Sequence, residues 1–328
     1  MMRRWIRGLL ILVALALVVA CDREESVEDD TEQGYVVVAT TTMLEDLVRH
    51  IGGDDVVVKG LVAVGGDPHV YQPRPADART VASSDAVVMN GLLLEGWMEN
   101  LVRHAGGERS VIVAGEAIDD GDLLRVEGAI DPHIWFDVQL WRAASAHVAH
   151  QLAQVFADDR EVAARIRERH AHYDQILEQL HQWVGDQIAT IDQERRVLIT
   201  SHDAFNYFGR AYGIDVEAVQ GLSTEQEASQ RDVANIIELV QQRQAPAVFT
   251  ETSVNSGLID QVARETGVTR AGPLFSDSVG PAGSGAESYV GMVTANTRMI
   301  VEALEGDYAA FEALAGEVEA TRSDEEDV

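Results

Sequence analysis

Cysteine and lysine are nearly absent from this chain of 328 residues, and positive charge is scarce. A single cysteine excludes an intrachain disulfide framework. The only lysine is Lys59, and 25 basic residues stand against 55 acidic ones, for a net charge of −30. That charge argues against nucleic acid as a partner, because an anionic polymer would be repelled. The composition fits either a protein kept soluble in high salt or a GC-rich genome that favours arginine codons.

Long apolar runs are also lacking. The run at residues 9–20 has twelve residues, whereas a membrane-spanning helix needs about 20. Three arginines precede it, so residues 1–20 are predicted to be a signal peptide. Ala20 followed by Cys21 resembles a bacterial lipobox, and we expect a lipid anchor at Cys21 that holds the protein at a membrane, outside the cytoplasm. The alternative is an ordinary signal peptide with an incidental cysteine.

The remaining chain divides by its hydrophobic pattern. Residues 21–34 are acidic and polar, which predicts a flexible tether. Short β-rich runs alternate with helical patterns over residues 35–157 and again over 193–310, which predicts two similar α/β lobes with parallel sheets flanked by helices. Residues 158–192 show one helical pattern that would span about 50 Å and connect the lobes. Residues 311–328 form an acidic tail.

Three histidines and one aspartate occupy loops beside the predicted strands. The triplet Asp-Pro-His occurs twice and ends at His69 and His133, while His202 and Asp277 follow strands of the second lobe. In open α/β sheets such positions meet in a crevice at the carboxyl ends of the strands. Three imidazoles and one carboxylate in one cleft form a four-ligand set for a divalent transition metal ion. A lone loop histidine is more often a surface or capping residue, so the prediction depends on the set.

The other seven histidines lie in predicted helices with polar neighbours, and no two of them have the i, i+4 spacing of a helical zinc motif. We predict that they are solvated: His50, His104, His147, His150, His170, His172 and His181.

Several longer segments follow one another along the chain: Gly-Gly-Asp-Pro-His-Val-Tyr-Gln-Pro-Arg-Pro-Ala-Asp, Asp-Pro-His-Ile-Trp-Phe-Asp, Ser-His-Asp-Ala-Phe-Asn-Tyr-Phe, Phe-Thr-Glu-Thr-Ser-Val and Leu-Phe-Ser-Asp-Ser-Val-Gly. Together they resemble the zinc/manganese-binding lipoproteins of bacterial ABC importers, over a region from about Tyr35 to Leu304. The resemblance implies two α/β lobes joined by one long helix, with a metal site in the cleft between them. It also implies a binding protein that delivers its ion to an ABC permease and its ATPase.

By this resemblance the metal ligands are His69, His133, His202 and Asp277. Family members with Glu where His202 stands are associated with manganese. Many zinc-dedicated members have a His-rich loop before the second ligand, but residues 115–130 are acidic and contain no histidine.

Three imidazoles and one carboxylate favour one zinc ion per chain, with manganese close behind. A bidentate Asp277 would add a fifth ligand and make the site more tolerant. Glu251, at the end of a predicted strand, either orients the ring of a ligand histidine or satisfies buried backbone amides. Because histidine ligands must be deprotonated, capture should weaken as pH falls toward the imidazole pKa of about 6.5.

Two other function classes are compatible with parts of this pattern. In a zinc metallohydrolase the three histidines would hold the metal, water would take the open position and Asp277 would be a base. No separate nucleophile or oxyanion motif supports that hypothesis, and we predict no catalytic residues and no enzyme activity. A surface adhesin is the third possibility, but the sequence has no repeat or exposed aromatic array to favour it.

Overall fold

The computed structural model describes residues 34–226 and 228–312. The predicted signal peptide, the lipidated Cys21 and almost all of the tether and the acidic tail lie outside these ranges and stay predictions. The exact lobe boundaries also stay predictions. Among the described residues, no helix is both long enough and apolar enough to cross a membrane.

The first lobe is built on a four-stranded parallel sheet with the order β2-β1-β3-β4. Its strands are β1 (Tyr35–Ala39), β2 (Val56–Gly60), β3 (Ala86–Met89) and β4 (Ser110–Val113). Its helices are α1 (Thr42–Gly52), α2 (Pro75–Ala82) and α3 (Met98–Ala105). The strands are valine-rich because both faces of the sheet are covered, and Val37, Val38 and Val87 have no exposed surface.

Helix α1 shows how local sequence sets the ends of an element. The Thr41 hydroxyl accepts a hydrogen bond from the Leu44 backbone N–H at 3.4 Å, which caps the first turn. The helix ends where Gly53 takes a positive φ of 50°, a conformation that favours glycine. Its apolar face is wholly buried against the sheet. Strand β2 ends at Gly60, and the chain then enters the loop that carries His69.

Residues 115–130 contain a short antiparallel hairpin of β5 (Arg125–Val126) and β6 (Ala129–Ile130). The turn between these strands uses Glu127 and Gly128, which both have positive φ. The hairpin delivers the chain to the second Asp-Pro-His triplet, at residues 131–133.

Two long helices follow, α4 (Val138–Val155) and α5 (Arg160–Ala189). Helix α5 has 30 residues, which corresponds to about 45 Å. Its first turn is capped by the Asp159 carboxylate, and its apolar stripe packs against α4, α1 and the second lobe. Arg142 of α4 forms a fork of hydrogen bonds with Asp174 of α5 at 2.7 and 2.9 Å. The predicted connecting helix is therefore confirmed, a few residues shorter at each end.

The second lobe repeats the alternation of parallel strands and helices. Its strands are β7 (Val197–His202), β8 (Asp215–Gln220), β9 (Ala247–Glu251) and β10 (Thr269–Leu274). Its helices are α6 (Asn206–Tyr212), α7 (Gln230–Arg243), α8 (Gly257–Thr266) and α9 (Tyr289–Ala303). Strand β7 pairs with β8 and β9 pairs with β10, while β7 also contacts β9. The two-lobe α/β prediction is confirmed.

A capping box sets the start of α7. The helix begins at Gln230 because Ser229 and Asp232 form a capping box, in which each side chain accepts a hydrogen bond from the other's backbone N–H. Residues 221–226 and 228 are loop, and within it Thr224 contacts Asp67 of the first lobe.

Candidate metal centre

Four side chains converge where the two lobes meet. The ring Nε2 atoms of three histidines and one carboxylate oxygen lie within 4.8 Å of one another, in His69, His133, His202 and Asp277. The His69 and His133 Nε2 atoms are 3.2 Å apart. Asp277 Oδ1 is 3.7 Å from Nε2 of His69, 3.8 Å from that of His133 and 3.6 Å from that of His202. The structure thus brings together all four residues that were predicted as ligands.

Each lobe contributes two of these residues from the ends of its strands. His69 lies in the loop after β2 and His133 follows β6, whereas His202 ends β7 and Asp277 follows β10. His133, His202 and Asp277 have no exposed surface, and His69 is 9% exposed. The cluster is therefore closed on most sides and reaches solvent near His69.

His133 is held by the Asp131 carboxylate, which was not among the predicted site residues. Asp131 Oδ1 accepts a hydrogen bond from the His133 backbone N–H at 3.0 Å and lies 2.7 Å from His133 Nδ1. A proton on Nδ1 leaves the Nε2 lone pair facing the centre of the cluster. The sequence does contain a sign of this contact. Asp131 stands two residues before His133, and at this spacing an aspartate side chain commonly accepts the backbone N–H in an Asx turn.

His202 is held in the same manner by Glu251 from the end of β9. Glu251 Oε1 accepts a hydrogen bond from the His202 backbone N–H at 2.8 Å, and Oε2 makes a short hydrogen bond with the His202 ring Nδ1. Glu251 thus binds both the His202 ring and a buried backbone amide. The sequence had left these two roles of Glu251 as alternatives.

Asp277 presents one oxygen to the cluster and one to the protein. Its Oδ2 accepts hydrogen bonds from Ser253 Oγ at 2.6 Å and Ser276 Oγ at 3.0 Å. Within residues 34–226 and 228–312, Asp277 Oδ1 and His202 Nε2 are buried polar atoms without a hydrogen-bond partner. An unpaired buried polar atom costs about 1–3 kcal/mol. A cation among the four side chains would satisfy both atoms, and the donor set fits a divalent transition metal.

The electrostatics of the cluster favour opposite charges on His202 and Asp277. Burial opposes charge on the His202 ring, but the carboxylates of Glu251 and Asp277 outweigh it and raise its pKa well above the ordinary 6.5. Burial likewise opposes ionisation of Asp277, but the His202 and His69 rings outweigh it and hold the Asp277 pKa well below its usual range. Below this raised pKa, a metal ion that binds His202 Nε2 displaces a proton.

None of the other seven histidines belongs to this cluster. The prediction that they are solvated is wrong for several of them. The His50 ring packs on Tyr173 with centroids 4.6 Å apart, and His170 Nε2 lies 3.1 Å from Ser145 Oγ. Burial lowers the pKa of His50, His170 and His181. The error arose because these partners come from other elements, Tyr173 for His50 and Ser145 for His170, and the pattern of a single helix does not show them.

A groove of about 580 Å³ opens beside the cluster. His69 is the one member of the four that lines it, and both lobes contribute to the rest of the lining, among others through Trp97 and Leu222. The groove therefore connects the exposed edge of the cluster to solvent.

Comparisons with known proteins point to one family. The family described as ZnuA, zinc-uptake complex component A periplasmic, matches residues 37–303. The zinc-binding protein TroA of Treponema pallidum (strain Nichols) is 39% identical over 275 residues, which cover 82% of this chain and 88% of that protein. The manganese-binding lipoprotein MntA of Bacillus subtilis (strain 168) is 35% identical over 301 residues, which cover 90% of this chain and 97% of that protein.

The fold agrees with the sequence comparison. The solved structure of the periplasmic zinc-binding protein TroA from Treponema pallidum matches with a TM-score of 0.79 at 36% identity. That match covers 83% of this chain and 99% of the other.

Proposed function

This chain belongs to the family of periplasmic zinc-uptake component A proteins, and from that premise we propose that it is a substrate-binding protein of a metal importer. It captures one divalent transition metal ion outside the cytoplasm and delivers it to an ABC permease and its ATPase. The observation that carries this proposal is the buried cluster of three imidazoles and one carboxylate, built by both lobes.

The ligands of the ion are His69, His133, His202 and Asp277. Four tetrahedral ligands at about 2.05 Å from zinc lie about 3.3 Å apart. Asp277 Oδ1 lies 3.6 to 3.8 Å from the three rings, the His69 and His133 nitrogens are 3.2 Å apart, and all four ligand atoms lie within 4.8 Å of one another. A contraction of the four side chains toward a common centre would bind the ion. Glu251 fixes the orientation of the His202 ring.

Zinc is the preferred cargo and manganese is second. Imidazole nitrogen is a good ligand for zinc, whereas manganese prefers more oxygen. TroA is named for zinc and MntA for manganese, so the relatives support both ions. The groove beside His69 provides the entry path, since His69 is the partly exposed ligand.

The protein acts as a binder and not as an enzyme. A hydrolytic zinc site needs an open position for water, but Asp277 Oδ1 faces all three rings at similar distances and completes a four-atom set. Its other oxygen is held by two serine hydroxyls, so the carboxylate is fixed in this orientation. The lipid anchor proposed at Cys21 would keep the protein next to its permease.

Calorimetric titration with zinc and with manganese tests the proposal. We expect one ion per chain, sub-micromolar binding of zinc, and loss of that binding in His133→Ala. His150→Ala is the matched control, because His150 is an exposed histidine on α4 and should leave binding unchanged. Failure of the unaltered protein to bind either ion would refute the proposed function.

A further inference from the structure

The two Asp-Pro-His triplets share one construction in the folded protein. Asp67 Oδ1 accepts a hydrogen bond from the His69 backbone N–H at 2.8 Å. Asp131 Oδ1 accepts the corresponding bond from the His133 backbone N–H at 3.0 Å. In each triplet the aspartate therefore determines where the backbone of the histidine lies.

The second oxygen of each aspartate is bound by the opposite lobe. Thr224 Oγ1 donates to Asp67 Oδ2 at 2.6 Å, from the loop after β8. Asn206 Nδ2 donates to Asp131 Oδ2 at 3.1 Å, from the first residue of α6. Tyr207, the next residue, strengthens this second contact because its hydroxyl donates to the Asp131 carbonyl oxygen at 2.9 Å.

Both contacts connect distant parts of the chain, 157 residues apart for Asp67 and Thr224 and 75 apart for Asp131 and Asn206. Each donor bonds a carboxylate, and hydrogen bonds to charged groups are stronger than those between neutral groups. A displacement of the second lobe would break both bonds and take from the Oδ2 atom of each aspartate the side chain that holds it.

We propose that Thr224 and Asn206 are positioning residues for metal capture. They bind the two aspartates only when the lobes are together, and through the aspartates they hold His69 and His133 where the ion needs them. Separation of the lobes would then loosen both first-lobe ligands at once and speed release. This inference rests on the proposed function, because it concerns the same metal site.

The test is the rate at which the protein loses cobalt(II), a probe whose visible absorption reports ligand geometry. The loaded protein is mixed with excess EDTA and the absorption is followed with time. We expect Thr224→Val to release cobalt about tenfold faster, the effect of one hydrogen bond to a charged group. Thr224→Ser, which keeps the hydroxyl, should restore the rate of the unaltered protein.

Asn206→Leu provides an independent second variant, and we expect faster release there as well. The two Thr224 variants are the sharper test. Asn206 also interacts with the Asp203 carboxylate, so its replacement alters two contacts at once. Thr266→Val is the matched control, because the Thr266 hydroxyl is half-buried in the same lobe but donates within its own helix, to the Val262 carbonyl oxygen. Its release rate should not change.

The outcomes separate the two claims. Equal release rates for Thr224→Val, Thr224→Ser and the unaltered protein would overturn the inference and leave the proposed function standing. Equally fast release from both Thr224 variants would also overturn it, because the hydroxyl would then not be responsible. Failure of the unaltered protein to bind cobalt or zinc would overturn the proposed function itself.

Discussion

His202 lies between two carboxylates, with Glu251 against its Nδ1 atom and Asp277 Oδ1 3.6 Å from its Nε2 atom. These carboxylates raise the pKa of the ring despite its burial, so a proton and a metal ion compete for Nε2 over an unusually high pH range. Below the raised pKa the ion must displace a proton, and above it the nitrogen is free to bind.

Zinc affinity should therefore continue to increase with pH above the range expected of an ordinary histidine with a pKa of about 6.5. Calorimetry in buffers of different ionisation enthalpy should show proton release on binding at neutral pH. Glu251→Gln removes one of the charges that raise the pKa, so its affinity should level off at a lower pH. A pH dependence that Glu251→Gln leaves unchanged would contradict this account.

Asp131 should act on affinity through His133. Asp131→Asn keeps an oxygen that can accept the His133 backbone N–H but removes the charge beside Nδ1. Loss of such a partner typically costs 10–100-fold in metal affinity, and we expect about tenfold for Asp131→Asn and more for Asp131→Ala. Zinc titration of both variants measures the effect. Unaltered affinity in Asp131→Ala would show that the ring needs no such partner.

At the scale of single residues, the sequence predicted the four converging side chains because residue type and loop position were sufficient. Asp131 was missed, although its place in the Asp-Pro-His triplet pointed to it. The roles of Thr224 and Asn206 could not be predicted, because a single threonine or asparagine in a sequence does not indicate a function. Each contacts its aspartate only because the two lobes pack together.

Among the elements, helix α5 ties the first lobe to the rest of the chain by charge as well as by packing. Arg165 and Arg169 of this helix both bind the Asp55 carboxylate that follows α1, at 2.6 and 2.8 Å. The hydrogen bond from Arg165, followed by the contacts of Arg169, outweighs burial and lowers the pKa of Asp55 to about 2.

Because this pKa is lowered on folding, the pair should stabilise the protein above pH 4 and lose that effect as pH falls toward 2. Asp55→Asn should reduce the free energy of unfolding at pH 7 by about 1 kcal/mol, since both arginines are partly exposed and solvent screens the pair. Urea unfolding of the metal-free protein measures this difference. Asp120→Asn, which breaks the exposed pair with Arg125, is the control with no expected change.

The long helix was predictable from sequence because its period of apolar residues continues over many turns without proline. The bounds of the shorter elements were harder to predict. The start of α7 depends on a capping box, and the hairpin of β5 and β6 on two residues in a left-handed turn, Glu127 and Gly128. The order of apolar and polar residues gives little information about caps and turns of this kind.

In the whole molecule, a bound ion would bridge the lobes, because each lobe provides two of the four donors. Zinc should therefore stabilise the folded protein, by about 2.7 kcal/mol when its free concentration is one hundred times the Kd. Thermal melting with and without zinc measures the shift. His202→Ala should abolish the shift, and a shift that persists in this variant would place the stabilising ion elsewhere.

The most direct test of the account is a crystal structure of the zinc-loaded protein with anomalous scattering recorded at the zinc edge. We predict one anomalous peak per chain, about 2.0–2.2 Å from Nε2 of His69, His133 and His202 and from an oxygen of Asp277. A peak away from these atoms would contradict the account. So would zinc held by the three histidines and a water molecule with Asp277 beyond bonding distance, because that is the arrangement of a hydrolytic site.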